Sequence, residues 1–492
     1  MKALCCGFAA LGRVPSAICF VAAGLLRAGA VAATPQPTDF GYGHLGMWDS
    51  PAVGTRPLVI LLAQFDGIPG TLKTIPEYDR LCFGPTNSVN EYFKAVSNGR
   101  FQWTRAGVLG GVHLSSAKSL KYLDKVADPC RPGKDNDDRV YSSNIVAQVL
   151  AANAGSFNIA SYDANHDHNI TPNELQILIV TSEWESREGA GIRWCAPVVL
   201  PWAGVMISNA VCAHPVIWNG ARQDFATICH ELCHELGADD LYPPTCCNQD
   251  MTVMGCTLSD PDDPHRMYPD PWHRMVFGWC EPRIFPLTGS GTAALPVATS
   301  GEPTSPVLLW DPNNPSLSDF WLLEYRNPQL GEYDRSVPGT GLALWYVQQN
   351  SDHNLVILAD GKRMNWNMGP YGPDYPWPPP NSTLWGSGTT TDLLTHTGPL
   401  GRTAYRVRVH EFQSGDSSIT VEWFPEVWVD FAYAGLIEAG TFSAPFNTLA
   451  EGVAASSPGG VVHVKAGSTP ERLVLRKRLT LRSYGGTAMI GR

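Results

Sequence analysis

The chain has 492 residues, more than one ordinary domain holds, so roughly two to four domains are expected. Hydrophobic residues make up 44%, enough for sizeable cores, and 47 glycines with 40 prolines point to a loop-rich, β-rich molecule rather than a helical bundle. A net charge of −11 with no basic run argues against nucleic acid or an anionic membrane surface as the main partner.

Residues 1–32 read as a secretory signal peptide. Lys2 and Arg13 flank a small-residue start, Ala17 to Leu26 is apolar, and Ala30-Val31-Ala32 offers a cleavage site. The apolar stretch is short and Arg27 interrupts it, which disfavours a membrane anchor, so an extracellular protein is expected. Cys5, Cys6 and Cys19 leave with the signal. Cys82, Cys130, Cys195, Cys212, Cys229, Cys233, Cys246, Cys247, Cys256 and Cys280 remain, an even set that suggests disulfides of unspecified pairing.

Leu58 to Phe65 (LVILLAQF) is an apolar run with the character of a buried central strand. Ser88 to Gly99 follows as a helix with Val89, Tyr92, Phe93 and Val96 on one face. Next comes an acidic loop that sets Asp163, Asn165, Asp167, Asn169, Thr171 and Glu174 at the spacings of a Ca²⁺-binding loop, with Glu174 able to supply two oxygens. His168 stands where glycine normally makes the sharp turn, so the expectation is a structural clip rather than a sensor. A metal-free, Asx-rich surface turn is the bland alternative. Glu174 to Thr181 alternates sufficiently to be a strand, and the β-then-α order suits a mixed sheet with helices behind it.

The most informative string is His230-Glu231-Leu-Cys-His234-Glu-Leu-Gly237-Ala-Asp-Asp240. On a helix, positions i and i+4 point the same way, so both imidazoles can bind one Zn²⁺ while Glu231 orients a water. Phe225, Ile228, Cys229, Leu232 and Leu236 form the apolar stripe, which leaves the histidines on the wet side. Gly237 supplies a permissive backbone that ends the helix and brings Asp240 round as third ligand. Asp239 beside it is a competitor for that place. A structural zinc site using Cys229 and Cys233 is the rival reading of this helix.

After Cys280 the character changes. Trp321 to Tyr325, Leu342 to Val347, Tyr405 to Val409 and Ile419 to Trp423 are short β-type runs parted by Gly, Pro and Asn, as in an antiparallel sandwich-like domain over 286–424. Pro376 to Pro380 is a stiff loop. From 427 to 492, Val461 to Val464, Leu473 to Leu475, Leu479 to Leu481 and Met489-Ile490 look like very short strands of about two right-handed parallel β-helix coils.

Taken in order, LVILLAQF, NSVNEYFKAVSNGRF, YDANHDHNITPNELQILIV, HELCHELGADDLY, TVMG, PWHRMVFGWCEP, FWLLEYRNP, DRSVPGTGLALWYV and the late ITVEW resemble the immune-inhibitor-A-like family of secreted bacterial zinc peptidases over roughly residues 57 to 424. The resemblance implies a metzincin-like zinc peptidase domain over 33–285; with the β-rich domain and the start of the β-helix read from the residues themselves, the expected fold class is α+β. It implies His230, His234 and Asp240 as zinc ligands, Glu231 as general base, Met254 as the methionine beneath the site, and bound Ca²⁺ in the acidic segment. The crowd of cysteines around the site departs from the family pattern, and no long pro-segment is visible. The expected activity is hydrolysis of peptide bonds in a protein or peptide substrate; Tyr242 and Tyr268 are candidate oxyanion donors, with a structural role as the favoured reading of each. The alternative is a catalytically inactive, metal-stabilised protein whose β-rich C-terminal half contacts polysaccharide or cell surface. Carbohydrate chemistry by the tail is a third reading, weakened by the absence of paired carboxylates at useful spacing.

Overall fold

Leu58–Ala63 places six apolar residues in a row, and such a run suits a strand covered on both faces. The computed structural model describes residues 51–65, 72–114, 137–182, 200–207, 211–213, 217–218, 221–222, 224–238, 241, 251–254, 267–302, 305–312, 319–335, 337, 339–348, 355–358, 384–391, 394–398, 401–456 and 458–491. Its first region runs β1 (Gly54–Phe65), α1 (Ile75–Phe83), α2 (Val89–Val96), β2 (Phe101–Leu114), α3 (Asp137–Ala152), β3 (Asn169–Ile170) and β4 (Gln176–Thr181). There follow β5 (Leu200–Trp202), β6 (Val205–Ile207), β7 (Val211–Ala213), β8 (Ile217–Trp218), β9 (Ala221–Arg222), α4 (Asp224–Glu235) and α5 (Pro271–Val276).

The central sheet has the order β2-β1-β4-β7, and every pairing in it is parallel. Leu58, Ile60 and Leu62 point into a core with Tyr92 and Phe93 of α2, Ile228 and Leu232 of α4, and Trp272 of α5. Val59, Leu61 and Ala63 point the other way, onto Ile145, Val146, Val149 and Leu150 of α3. Each fully buried aliphatic of this kind contributes on the order of 1.5–3 kcal/mol. The mixed sheet expected from the sequence is therefore a parallel one with helices on both faces. Its β4 has no wet side, because Leu178 and Val180 join the first core while Ile177 and Ile179 join the second. α2 stops short of the expected Gly99, since Asn98 and Gly99 take left-handed φ of 57° and 74° and turn the chain into β2.

The second region holds β10 (Arg283–Pro286), β11 (Gly291–Pro296), β12 (Val307–Trp310), β13 (Asp319–Arg326), β14 (Gly341–Gln348), β15 (Leu355–Leu358), β16 (Leu394–Gly398), β17 (Gly401–Val409) and β18 (Ser418–Pro425). They form two sheets, β10-β12-β13-β14-β15 and β11-β18-β17-β16. The pairings are antiparallel except β10 with β12, which is parallel. Trp321, Leu323 and Tyr325 of β13 pack with Val407, Val421 and Trp423 of the other sheet. The alternate residues Phe320 and Leu322 join the core that holds α4. One apolar core thus runs through the expected boundary at 285/286.

At the C-terminal end, β19 (Val427–Val429), β20 (Val461–Thr469) and β21 (Thr480–Ile490) pair in parallel, and α6 (Leu449–Ala455) covers their valines through Leu449. Leu473–Leu475 is not a strand; all three are exposed. The two short strands expected near 479–481 and 489–490 merge into the single β21. Among the described residues the architecture is mixed α/β with several small sheets and no barrel, and no helix is long and apolar enough to cross a membrane. The signal-peptide segment and the 376–380 loop lie outside the described residues.

Candidate metal centre

The site is built on α4, whose stripe Phe225, Ile228, Cys229, Leu232 and Leu236 is buried in the core as its spacing predicts. The opposite face is not wet. His230 is 6% exposed, His234 9% and Glu231 2%, because the turn at Met251–Met254 and the chain after the helix close over them.

Each imidazole is oriented by a carbonyl. His230 Nδ1 lies 2.7 Å from Val253 O, and His234 Nδ1 lies 2.8 Å from Ala238 O. A carbonyl oxygen only accepts, so both Nδ1 atoms carry hydrogen, and a neutral imidazole held this way offers Nε2 to a metal. Those two Nε2 atoms face each other 3.2 Å apart, with the rings at 86°. Two nitrogens bound at about 2.0–2.1 Å to a tetrahedral ion would be roughly 3.3–3.4 Å apart, so the pair fits one cation. The nitrogen donors and a Glu231 oxygen all lie within 4.8 Å of one another, and this buried trio can hold a metal ion.

The helix end makes one of these contacts possible. Gly237 has φ 108°, a value that side chains rarely tolerate, and its turn lets Ala238 N donate to Cys233 O at 3.0 Å. The same turn brings Ala238 O under His234. Asp240 and Tyr242 lie outside the described residues. Leu241 is described, and its N–H donates to Met254 O at 2.9 Å, tying the chain after the motif to the turn that orients His230. Met254 itself is buried in the same core.

Several neighbours have other roles. Glu235, also buried, accepts from Gln176 Nε2 at 3.1 Å and ties α4 to the central sheet. Tyr268 is buried, its hydroxyl donates to Ala95 O at 3.5 Å, and burial pushes its pKa up to about 12. Cys82, Cys229, Cys233 and Cys280 are buried thiols outside any disulfide, so the expected bridges do not use these four. The side chains of the other six cysteines lie outside the described residues. Burial pushes the Cys229 and Cys233 thiols well above the ordinary range. They sit on the core stripe, and the rival thiolate zinc site finds no support there.

The acidic loop is held by its own near neighbours. Asp163 Oδ2 accepts from His168 N at 3.1 Å, Asn165 Oδ1 from Asp167 N at 2.9 Å, and Asp167 Oδ1 from Asn169 N at 2.8 Å. His168 takes φ 63° in the place expected for glycine. Glu174 reaches back over the loop, where Oε1 accepts from Ala164 N and Asn165 N and Oε2 from Thr171 N and Oγ1. Both Glu174 oxygens are therefore engaged by the loop itself. Asp163 Oδ1 is buried with no hydrogen-bond partner. Among the described residues, only the His230 trio draws three His, Cys, Asp or Glu donors so closely together.

The sequence reading missed what lies beneath the Met251–Met254 turn. Thr252 Oγ1 donates to Asp270 Oδ2 at 3.1 Å and accepts from Met254 N at 3.3 Å, while His273 Nδ1 sits 2.7 Å from Asp270 Oδ2. The available signal was a run of charged residues inside an apolar stretch, Asp270-Pro-Trp-His273-Arg274-Met-Val-Phe, since such groups are rarely buried unless paired. Compared with known proteins, the chain matches no family model and no curated protein.

Proposed function

We propose that the chain is a secreted zinc-dependent endopeptidase similar to the immune-inhibitor-A-like peptidases. The observation that carries the reading is the pair of carbonyl-anchored imidazoles with Nε2 atoms 3.2 Å apart beside a buried glutamate. His230 and His234 would hold the ion, with Asp240 as third ligand and Met254 as the site methionine, in a metzincin-like arrangement. Zinc held there would supply a coordinated water of lowered pKa, towards about 7, and polarise the scissile carbonyl. Glu231 takes the proton of the attacking water and delivers it to the leaving amine. Val253 O and Ala238 O keep the imidazoles in the tautomer this needs, and burial of the trio keeps competing solvent away.

Two finer readings belong with this one. The partnerless Oδ1 of Asp163 supports the acidic loop as a Ca²⁺ clip with Asn165, Asp167 and Asn169, with Glu174 released from the loop to take part. The parallel register of β19, β20 and β21 supports 427–492 as opening coils of a right-handed β-helix. The deciding test is Glu231→Ala, assayed on casein beside elemental analysis. Zinc should remain at one per chain while the rate falls by roughly 10²–10⁴-fold. Full activity in that variant removes Glu231 from the mechanism and sinks the reading.

A further inference from the structure

We propose that Arg326, on β13 of the β-rich region, is a positioning residue for the metal centre, because its guanidinium holds the Met251–Met254 turn that orients His230. This rests on the metal-site reading above and adds a residue 96 positions beyond His230 to it.

Arg326 Nη1 donates to Met251 O at 2.9 Å. Two residues on, Val253 O fixes His230 Nδ1. The guanidinium is itself held on every side: Nε donates to Asp334 Oδ2 at 2.7 Å, Nη2 to Asp334 Oδ1, and Nη1 also to Glu324 Oε1 at 2.8 Å. Glu324 is shared with Arg274 of α5. Arg274, Glu324, Arg326 and Asp334 are all 0–1% exposed. Burial opposes the charge on Arg326, but Asp334 and Glu324 outweigh it and raise its pKa above the ordinary arginine range. The fork is permanently charged and fixed in direction.

Why place four buried charges here? Burying ion pairs is costly, and apolar residues of similar volume often serve stability as well or better. What an apolar replacement lacks is a donor aimed at one carbonyl. Met251 O has Arg326 for this, and the next residue, Thr252, is pinned from the other side by Asp270. The turn is therefore clamped at two successive residues before it reaches Val253. A guanidinium suits the task, since its three nitrogens can serve Asp334, Glu324 and Met251 together, which a lysine nitrogen cannot do in one geometry.

The experiment compares full-length wild type, Arg326→Lys and Thr252→Val. Zinc affinity is measured by chelator competition, and the visible spectrum of the Co²⁺-loaded protein reports ligand geometry. Thermal unfolding of the metal-free chain is read in parallel. Arg326→Lys keeps the charge and removes the fork; Thr252→Val removes the second clamp with no charge change. Each is expected to weaken zinc binding by roughly tenfold and to shift the Co²⁺ bands, in protein that remains folded. A merely structural role would lower the unfolding temperature and leave the affinity and the bands of the folded protein unchanged. Zinc affinity within twofold of wild type in folded Arg326→Lys overturns the inference. Should that variant not fold, Thr252→Val decides on the same criterion. If wild type itself binds no stoichiometric zinc, the reading of the site fails, and this inference with it.

Discussion

Two segments of this chain have the residue spacing of a cation site, and they are assembled in opposite ways. In the helix site, the groups that orient the ligands come from far along the chain: Val253 O meets His230 across 23 positions, and Arg326 meets Met251 across 75. In the acidic loop the hydrogen bonds that hold Asp163, Asn165, Asp167 and Glu174 in place span ten positions or fewer. A site built by distant parts exists only when the whole core is folded, and it can hold two lone pairs face to face. A site built locally forms with its own turn and satisfies most of its oxygens without help. The helix site should therefore be coupled to global stability, and the loop should be nearly independent of it.

The strongest way to break that contrast is Asp334→Ala. It leaves the buried Arg326 guanidinium short of its bidentate partner, and removal of one member of a buried pair costs about 3–5 kcal/mol. Urea unfolding should show that loss together with weakened zinc binding. A loss below about 1 kcal/mol would mean that the network is not coupled to the fold.

A smaller effect is expected at Gly237→Ala. With φ at 108°, a Cβ there is strained by roughly 1–3 kcal/mol, and relief of that strain displaces Ala238 O from His234. Zinc affinity should fall with stability, and retention of both would show that the turn tolerates a side chain.

These two cases also mark what the residues disclosed in advance. The α4 stripe, the strand cores of β1 and β4 and the Asx pattern of the loop are local, so spacing alone exposes them. Burial of His230 and His234 was not foreseeable, because the covering turn at 251–254 comes from a segment with no periodicity of its own. The Arg274–Glu324–Arg326–Asp334 network joins residues up to 60 positions apart, and nothing in either segment specifies the other. Leu473–Leu475 failed for the converse reason: an apolar triplet has strand propensity, but no neighbour pairs with it and it stays exposed.

Within the loop, Thr171→Val removes the Oγ1 donor to Glu174 Oε2 and should cost about 1 kcal/mol. The contrast is sharpened by combining it with Gly237→Ala. Sites with no shared partners add to within about 0.5 kcal/mol, and zinc affinity should not respond to Thr171→Val at all. A coupling energy well above that, measured by a double-mutant cycle, would join the two sites and undo the distinction.

The smallest expected effect is a change with pH in one of these differences. Burial alone would raise the Asp270 carboxyl, but His273 and the Thr252 hydroxyl outweigh it and hold the group below the usual carboxylate value of 3.8. A carboxyl whose folded pKa is depressed contributes stability that is present above the unfolded value and lost as pH falls through the folded one. Asp270→Asn should therefore be less stable than wild type at pH 6, and the gap should narrow as the pH drops below about 4. The metal-free chain is the right material, since acid also strips metal from histidine and would mask the trend. A gap that stays constant between pH 6 and pH 3 would place the carboxylate's effect in shape rather than charge, and the clamp on Thr252 would then need only a hydrogen-bond acceptor, which the asparagine also provides.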